Sequence, residues 1–311
     1  MGPARLRLLI GGAAAAVALA SAAHGLAVEG DARAFTVVVP LLLAGAVALY
    51  ARGVARLWRR AGVGRGIRIV EAARFALGML VLVVALASPL DRLAERSFAL
   101  HMIEHELLMV LAAPLLVLAR PVEAWTWALA PRLRLALVAC VRARGMRTLW
   151  STATRPVPAS CMHALALWLW HLPMLFAAAL ASEGLHVLQH ACFFGSALVF
   201  WWAMFGGAQR TPGIASLGCL FATMLHTSVL GALLTFAPAA GYVPVDAPRL
   251  LGLTSLEDQQ LGGLIMWVPG GLAYVIAGLT VVASWLANPR MMRNDALRQA
   301  LPRREHVVSG H

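Results

Sequence analysis

The chain has 311 residues, of which 60% are hydrophobic and 13% charged, with a formal net charge of +12. A soluble domain carries about 25% charged residues, so this chain has too little polar surface to face water all round, and a water-soluble globular fold is excluded. Every basic residue is Arg, and the Arg residues fall between apolar runs, which points to orientation in a membrane and away from nucleic acid as a partner.

In chain order, eight apolar runs are long enough to cross a hydrocarbon core of about 30 Å: 6–28, 34–51, 70–90, 98–119, 157–181, 184–205, 213–236 and 261–287. The expected fold is therefore all-α, a polytopic transmembrane helix bundle forming one membrane domain over 1–311. The first run follows Arg5 and Arg7 and ends in small residues around Ser21 to Ala23, as a signal peptide does. Its length favours a retained helix; cleavage would leave seven spans. With the N-terminus inside, 22 of the 26 Arg lie in inner segments and 4 in outer ones, which predicts a membrane protein with both termini in the cytoplasm. Residues 120–156 form a long basic cytoplasmic loop, and 131–150 within it has the character of an amphipathic helix on the membrane surface. Residues 289–311 read as a polar cytoplasmic tail. The four Cys include no CxxC pair, so core packing is expected of each, with Cys161 or Cys192 as a soft metal ligand the weaker option.

Histidine carries the chemistry. An imidazole inside a bilayer is costly and functional by default. His101 and His105 stand four apart at the outer end of the fourth span, and His186 and His190 four apart at the outer start of the sixth. That spacing puts both rings of a pair on one helical face, so two neighbouring helices could offer four nitrogen ligands. Met109 lies one turn below His105. The eighth span opens with Asp258 and Gln259 and carries Met266 about two turns deeper. Imidazole suits Zn, Cu, Fe or Ni, and a thioether tilts the choice toward Cu(I). Asp258 could instead orient an imidazole through its free N–H. His171 and His226 fall near mid-membrane, either bonding backbone carbonyls or extending a ligand path, while His163 reads as structural.

Three other readings compete. His101-Met-Ile-Glu104-His105 matches the HxxEH spacing of inverzincin metalloproteases, but a five-residue match in a membrane helix, without a downstream acidic ligand, carries little. Two bis-His pairs could hold haem b between helices; the polar mouth made by Glu104, Glu106, Gln189 and Asp258 suits an open ion site better. A transporter would use broken helices, and Pro114, Pro173 and Pro269 could break them. No Asp or Glu is expected near mid-membrane, which argues against proton coupling.

The blocks HMIEHELLMVLAAPLLVLARP, WLWHLPMLF, LHVLQHACFFGSALVFWW and DQQLGGLIMWVPGG resemble, in order and spacing, the CtaG-type assembly factors of bacterial caa-type cytochrome c oxidases, over about Phe75 to Trp285. The resemblance implies a non-catalytic, multi-pass protein required for active oxidase, acting through its copper centres. It carries over onto His101, His105, His171, His186, His190 and Asp258. The resulting expectation is an outward-facing site of His101, His105, His186 and His190 holding copper transiently, with His171, His226, Asp258, Met109 and Met266 as further candidates. Expected partners are oxidase subunits, a copper donor protein and membrane lipid.

Overall fold

The computed structural model describes residues 32–206, 213–242 and 252–287, and among them every regular element is helical. In order these are α1 (Ala32–Ala61), α2 (Ile69–Leu86), α3 (Pro89–Ala94), α4 (Phe98–Ala119), α5 (Pro121–Ala128), α6 (Pro131–Arg142), α7 (Arg144–Ala153), α8 (Pro156–Trp170), α9 (Pro173–Ala181), α10 (Glu183–Gly206), α11 (Ile214–Thr235) and α12 (Ser255–Ala287). Six of them, α1, α2, α4, α10, α11 and α12, are long and apolar enough to span a membrane. The pair α8 and α9 makes a seventh span if the two are one broken crossing, bent by 73°. The protein is an all-α polytopic membrane bundle. A helix satisfies its own backbone polar groups, which lipid cannot do. The expected first run, 6–28, and the tail, 289–311, lie outside the described residues.

Several boundaries differ from the apolar runs, for a common reason. The second run ends at 51, yet α1 continues to Ala61. Arg is a good helix former, so a helix can run on past the end of its apolar stretch. The extension is tied down where Arg56 donates to the carbonyls of Trp127 (3.3 Å) and Ala128 (2.7 Å). Likewise α12 begins at Ser255, ahead of the apolar stretch at 261. Residues 131–150, expected as one surface helix, form α6 and most of α7, with Leu133, Leu135 and Leu149 exposed among the Arg residues.

The three prolines expected to break helices act differently. Proline lacks an N–H and collides with the carbonyl one turn back. Before Pro173 the chain breaks, and His171 and Leu172 form the corner between α8 and α9. At Pro114 and Pro269 the helix instead absorbs the misfit as a wide π-helical turn, Leu107–Ala112 in α4 and Met266–Gly270 in α12. One carbonyl in the first of these turns, that of Met109, accepts a 2.7 Å hydrogen bond from the Trp201 indole of α10.

The starts of α4, α10 and α12 gather at one end of the bundle. Each is capped by a hydroxyl: Ser97 accepts from the Leu100 N–H, Ser182 from Leu185 and Thr254 from Glu257. At the opposite end, Arg120 adopts a left-handed backbone (φ 55°) between α4 and α5. Its guanidinium bridges Glu123 and the buried Glu71, which also pairs with Arg68. A core of Leu167, Phe193, Phe200, Trp201, Met204 and Leu220 fills the space between α8, α10 and α11.

Candidate metal centre

The histidine pairs of α4 and α10 face each other at the capped end. His101 stacks on His186 with ring centroids 5.3 Å apart, and lies 6.1 Å from His190 and 4.2 Å from His105. His186 and His190 are 4.3 Å apart. One nitrogen from each of His101, His186 and His190 falls within 4.8 Å of the other two. Three nitrogens this close could be shared by one metal ion.

The surroundings make this a site of unmet demand. His101 and His105 are 1% exposed and His190 8%, and neither nitrogen of His101 or His105 has a hydrogen-bond partner. The Nε2 atoms of His171, His186 and His190 and both side-chain polar atoms of the buried Gln189 are also unpartnered. A buried polar atom left unpaired costs about 1–3 kcal/mol. So many orphans in one place, most of them imidazole nitrogens, match the donor set of a borderline or soft metal ion.

His105 forms the floor. It sits 5.2 Å from His190, 6.3 Å from His171 and edge-on to Phe193 at 4.6 Å. His171 arrives from the corner between α8 and α9. Its Nδ1 donates to the Leu167 carbonyl at 2.7 Å, which leaves the lone pair on the buried Nε2. Tyr242 holds the corner by donating its hydroxyl to the His171 carbonyl at 2.6 Å.

Other sequence candidates are placed elsewhere. Asp258 does not face the rings. One oxygen accepts from the Ser97 hydroxyl (2.7 Å) and the Ala99 N–H (3.2 Å), the other from the Phe98 N–H (2.7 Å). It fixes the start of α4, and with it the position of His101 one turn later. His226 lies beside His163 of α8, away from the outer rings. His163 itself contacts Ser196 (2.9 Å) and Tyr274 (3.4 Å). Met109 is buried in the core with Phe193, and Met266 packs with Phe98, Met102 and Phe176 one layer behind His101.

The two glutamates flanking His105 separate. Glu104 is fully buried, with Oε1 3.8 Å from His190 Nε2. Glu106 leaves the mouth and lies against α12, where a Cβ on Gly270 would meet its Oε2 at 2.8 Å. Because Phe98–Glu106 is nine residues, Glu106 lies about 12 Å along the span. The expectation of no acidic group deep in the membrane is thereby corrected: counting residues gives depth, but only packing shows that a small Gly270 makes room for a carboxylate. Asp91 of α3, between two spans and easily read as a loop residue, lies against Glu104; burial, then Glu95, push its pKa up.

Fold and site together define a multi-pass membrane protein with a metal-capable histidine cluster near one end of its bundle. Residues 48–288 match the model of the cytochrome c oxidase caa3 assembly factor family (Caa3_CtaG), and the chain belongs to that family. The family is described as one of assembly factors for cytochrome c oxidase caa3, in keeping with the resemblance read from the sequence. Among curated proteins, an uncharacterized protein of Mycobacterium bovis is 27% identical over 268 residues, covering 81% of this chain and 39% of that protein. An uncharacterized protein of Mycobacterium tuberculosis matches to the same extent. The chain thus spans about two fifths of the length of these relatives. No solved structure matches it.

Proposed function

We propose that the protein holds copper transiently at His101, His186 and His190, with His105 and His171 beneath as further ligands, and supplies it to a copper centre of cytochrome c oxidase during assembly. The observation that carries this is the convergence of three imidazole nitrogens within 4.8 Å inside an apolar bundle. A shell of three neutral imidazoles suits copper and lacks the closed tetrahedral set of a structural zinc site, so the ion can leave. Oxidase assembly supplies the acceptor, since the family is defined by that role. The partners in this reading are an oxidase subunit in the same membrane and a copper donor protein, with anionic lipid against the Arg-rich inner face.

The chain is read as one membrane domain in the bacterial cytoplasmic membrane, with 6–28 as an eighth span, 120–156 and 289–311 cytoplasmic, and the histidine end outward. Asp258 serves the site through α4 and not as a ligand. Met109 and Met266, each one layer away, would join only after movement. A haem between the two pairs fits less well, because the rings of His101, His105, His186 and His190 are in mutual contact and leave no flat slot between them.

The test is metal analysis with an optical spectrum on the detergent-solubilised protein, offered copper under reducing conditions, beside a His101→Ala/His186→Ala/His190→Ala variant. One copper per chain in the parent, lost in a variant of unchanged helicity, is the expected outcome. A Soret band would assign the same histidines to haem. Copper bound equally by both proteins would move the site away from the triad, and no copper in either would leave a scaffold role.

A further inference from the structure

The end of the bundle remote from the histidines holds a cavity of about 260 Å³ between α2, α4 and α10. A water needs only about 10–15 Å³ of such space, so the cavity admits a group of several heavy atoms. Its polar wall sets Arg68, Arg74 and Arg120 against Glu71 and Glu123. Both carboxylates are already committed: Arg68 and Arg120 pair with Glu71, and Arg120 also with Glu123. Arg74 is left over. It is half-buried, and among the described residues it has neither an ion pair nor a side-chain hydrogen bond. As the sixth residue of α2 it lies about 9 Å along a membrane span, where a cation without a counter-ion is costly. The opposite wall is apolar, with Leu118 of α4 and Trp202 and Phe205 of α10. Val70 and Leu77 stand four residues before Arg74 and three after it, on its face of α2, and Val84 continues the stripe two turns further on. All three are exposed, at 46%, 50% and 41%. A spare positive charge at the end of the bundle thus leads into an apolar track toward the middle of the membrane.

We propose that this cavity binds the phosphate of one anionic phospholipid through Arg74, with an acyl chain lying along Val70, Leu77 and Val84. A guanidinium is a planar fork that meets phosphate oxygens two at a time, and it is less strongly hydrated than an ammonium. A phosphodiester carries one negative charge, which matches the one positive charge that Glu71 and Glu123 leave unanswered. Free phosphate offers the same oxygens but gains nothing from the apolar stripe, so the track favours the lipid. This is a single site built by α2, α4 and α10, distinct from a general attraction of headgroups to surface Arg. It rests neither on copper binding nor on the direction in which the bundle sits.

The test is native mass spectrometry of the full, copper-free chain in detergent, titrated with phosphatidylglycerol. One tightly held lipid per chain is expected. Arg74→Gln should weaken it on the order of ten-fold. Arg74→Lys keeps the charge and should recover most of the affinity, which separates loss of the phosphate contact from a folding defect. Arg132→Gln, at an exposed position on α6 outside the cavity, should leave the affinity unchanged. Equal weakening by Arg74→Gln and Arg132→Gln would mean diffuse attraction and overturn the proposal. So would phosphatidylcholine bound as tightly as phosphatidylglycerol, since the spare charge would then select nothing. Displacement of the lipid by millimolar inorganic phosphate would make this a site for the free anion and overturn the lipid assignment. Because no copper is present, failure of the copper reading leaves each of these outcomes readable.

Discussion

Asp258 shows how a residue can serve a site without touching it. It closes three hydrogen bonds on the first turn of α4, two of them to backbone N–H groups, across about 160 positions of sequence. Those N–H groups would otherwise be orphans at a buried helix start. Asp258→Ala removes the acceptor for all of them. A lost cap costs about 0.5–2 kcal/mol and buried unpaired donors about 1–3 kcal/mol each, so the apparent Tm in detergent should fall clearly, and copper retention with it as His101 shifts. Asp258→Asn keeps one oxygen and should lose less of both. Copper lost at full thermal stability would instead put Asp258 at the metal. The sequence made the histidine pairs legible, because an i, i+4 spacing is a property of one helix. The role of Asp258 was not legible, since depth and acidity suit a ligand and a cap equally and only its partners distinguish them. Glu104 and Glu106 make the same point: they are two residues apart, and the helix turns them to different neighbours.

At the level of elements, the bundle is held at the site by close backbone approach as well as by apolar packing. A Cβ on Gly263 of α12 would stand 2.6 Å from the Thr235 nitrogen and 2.7 Å from the Gly231 carbonyl of α11, and one on Gly231 would meet the Gly263 carbonyl at 2.8 Å. Small residues let membrane helices meet in this way. Backbone cannot move aside as a side-chain tip can, so Gly263→Ala should cost at least the 1–3 kcal/mol typical of overpacking and lower the apparent Tm. Gly195 of α10, whose Cβ would meet nothing within 4 Å, is the control: Gly195→Ala should be neutral or gain about 0.5–1 kcal/mol of helix propensity. Equal losses at both positions would mean that glycine flexibility, and not contact, is what matters. The helices themselves could be read from apolar length, but their ends could not, because α1 and α12 continue into polar sequence that still favours helix. The prolines were visible as disturbances. Whether each broke the chain or widened a turn depended on the neighbours available, such as Trp201 for the freed Met109 carbonyl.

For the whole molecule, orientation decides what the site can do, since a triad at the outer end meets an oxidase copper centre only if that end faces outward. The distribution of Arg predicts that it does, and the described fold offers a direct handle. Cys140 is exposed on α6, in the basic segment between α4 and α8. That segment joins the ends of α4 and α8 remote from the histidine cluster. Cys161 and Cys192 lie in spans and Cys219 is buried. With Cys161, Cys192 and Cys219 each changed to Ser, Cys140 becomes a single reporter. A membrane-impermeant maleimide should leave it unlabelled in intact spheroplasts and label it in inside-out vesicles. Labelling from outside would invert the bundle and bring His101, His186 and His190 to the cytoplasmic end. The histidine geometry would survive that result, but delivery to an outward-facing copper centre would not, because the ion would then have to cross some 20 Å of apolar core containing Phe193, Phe200 and Trp201.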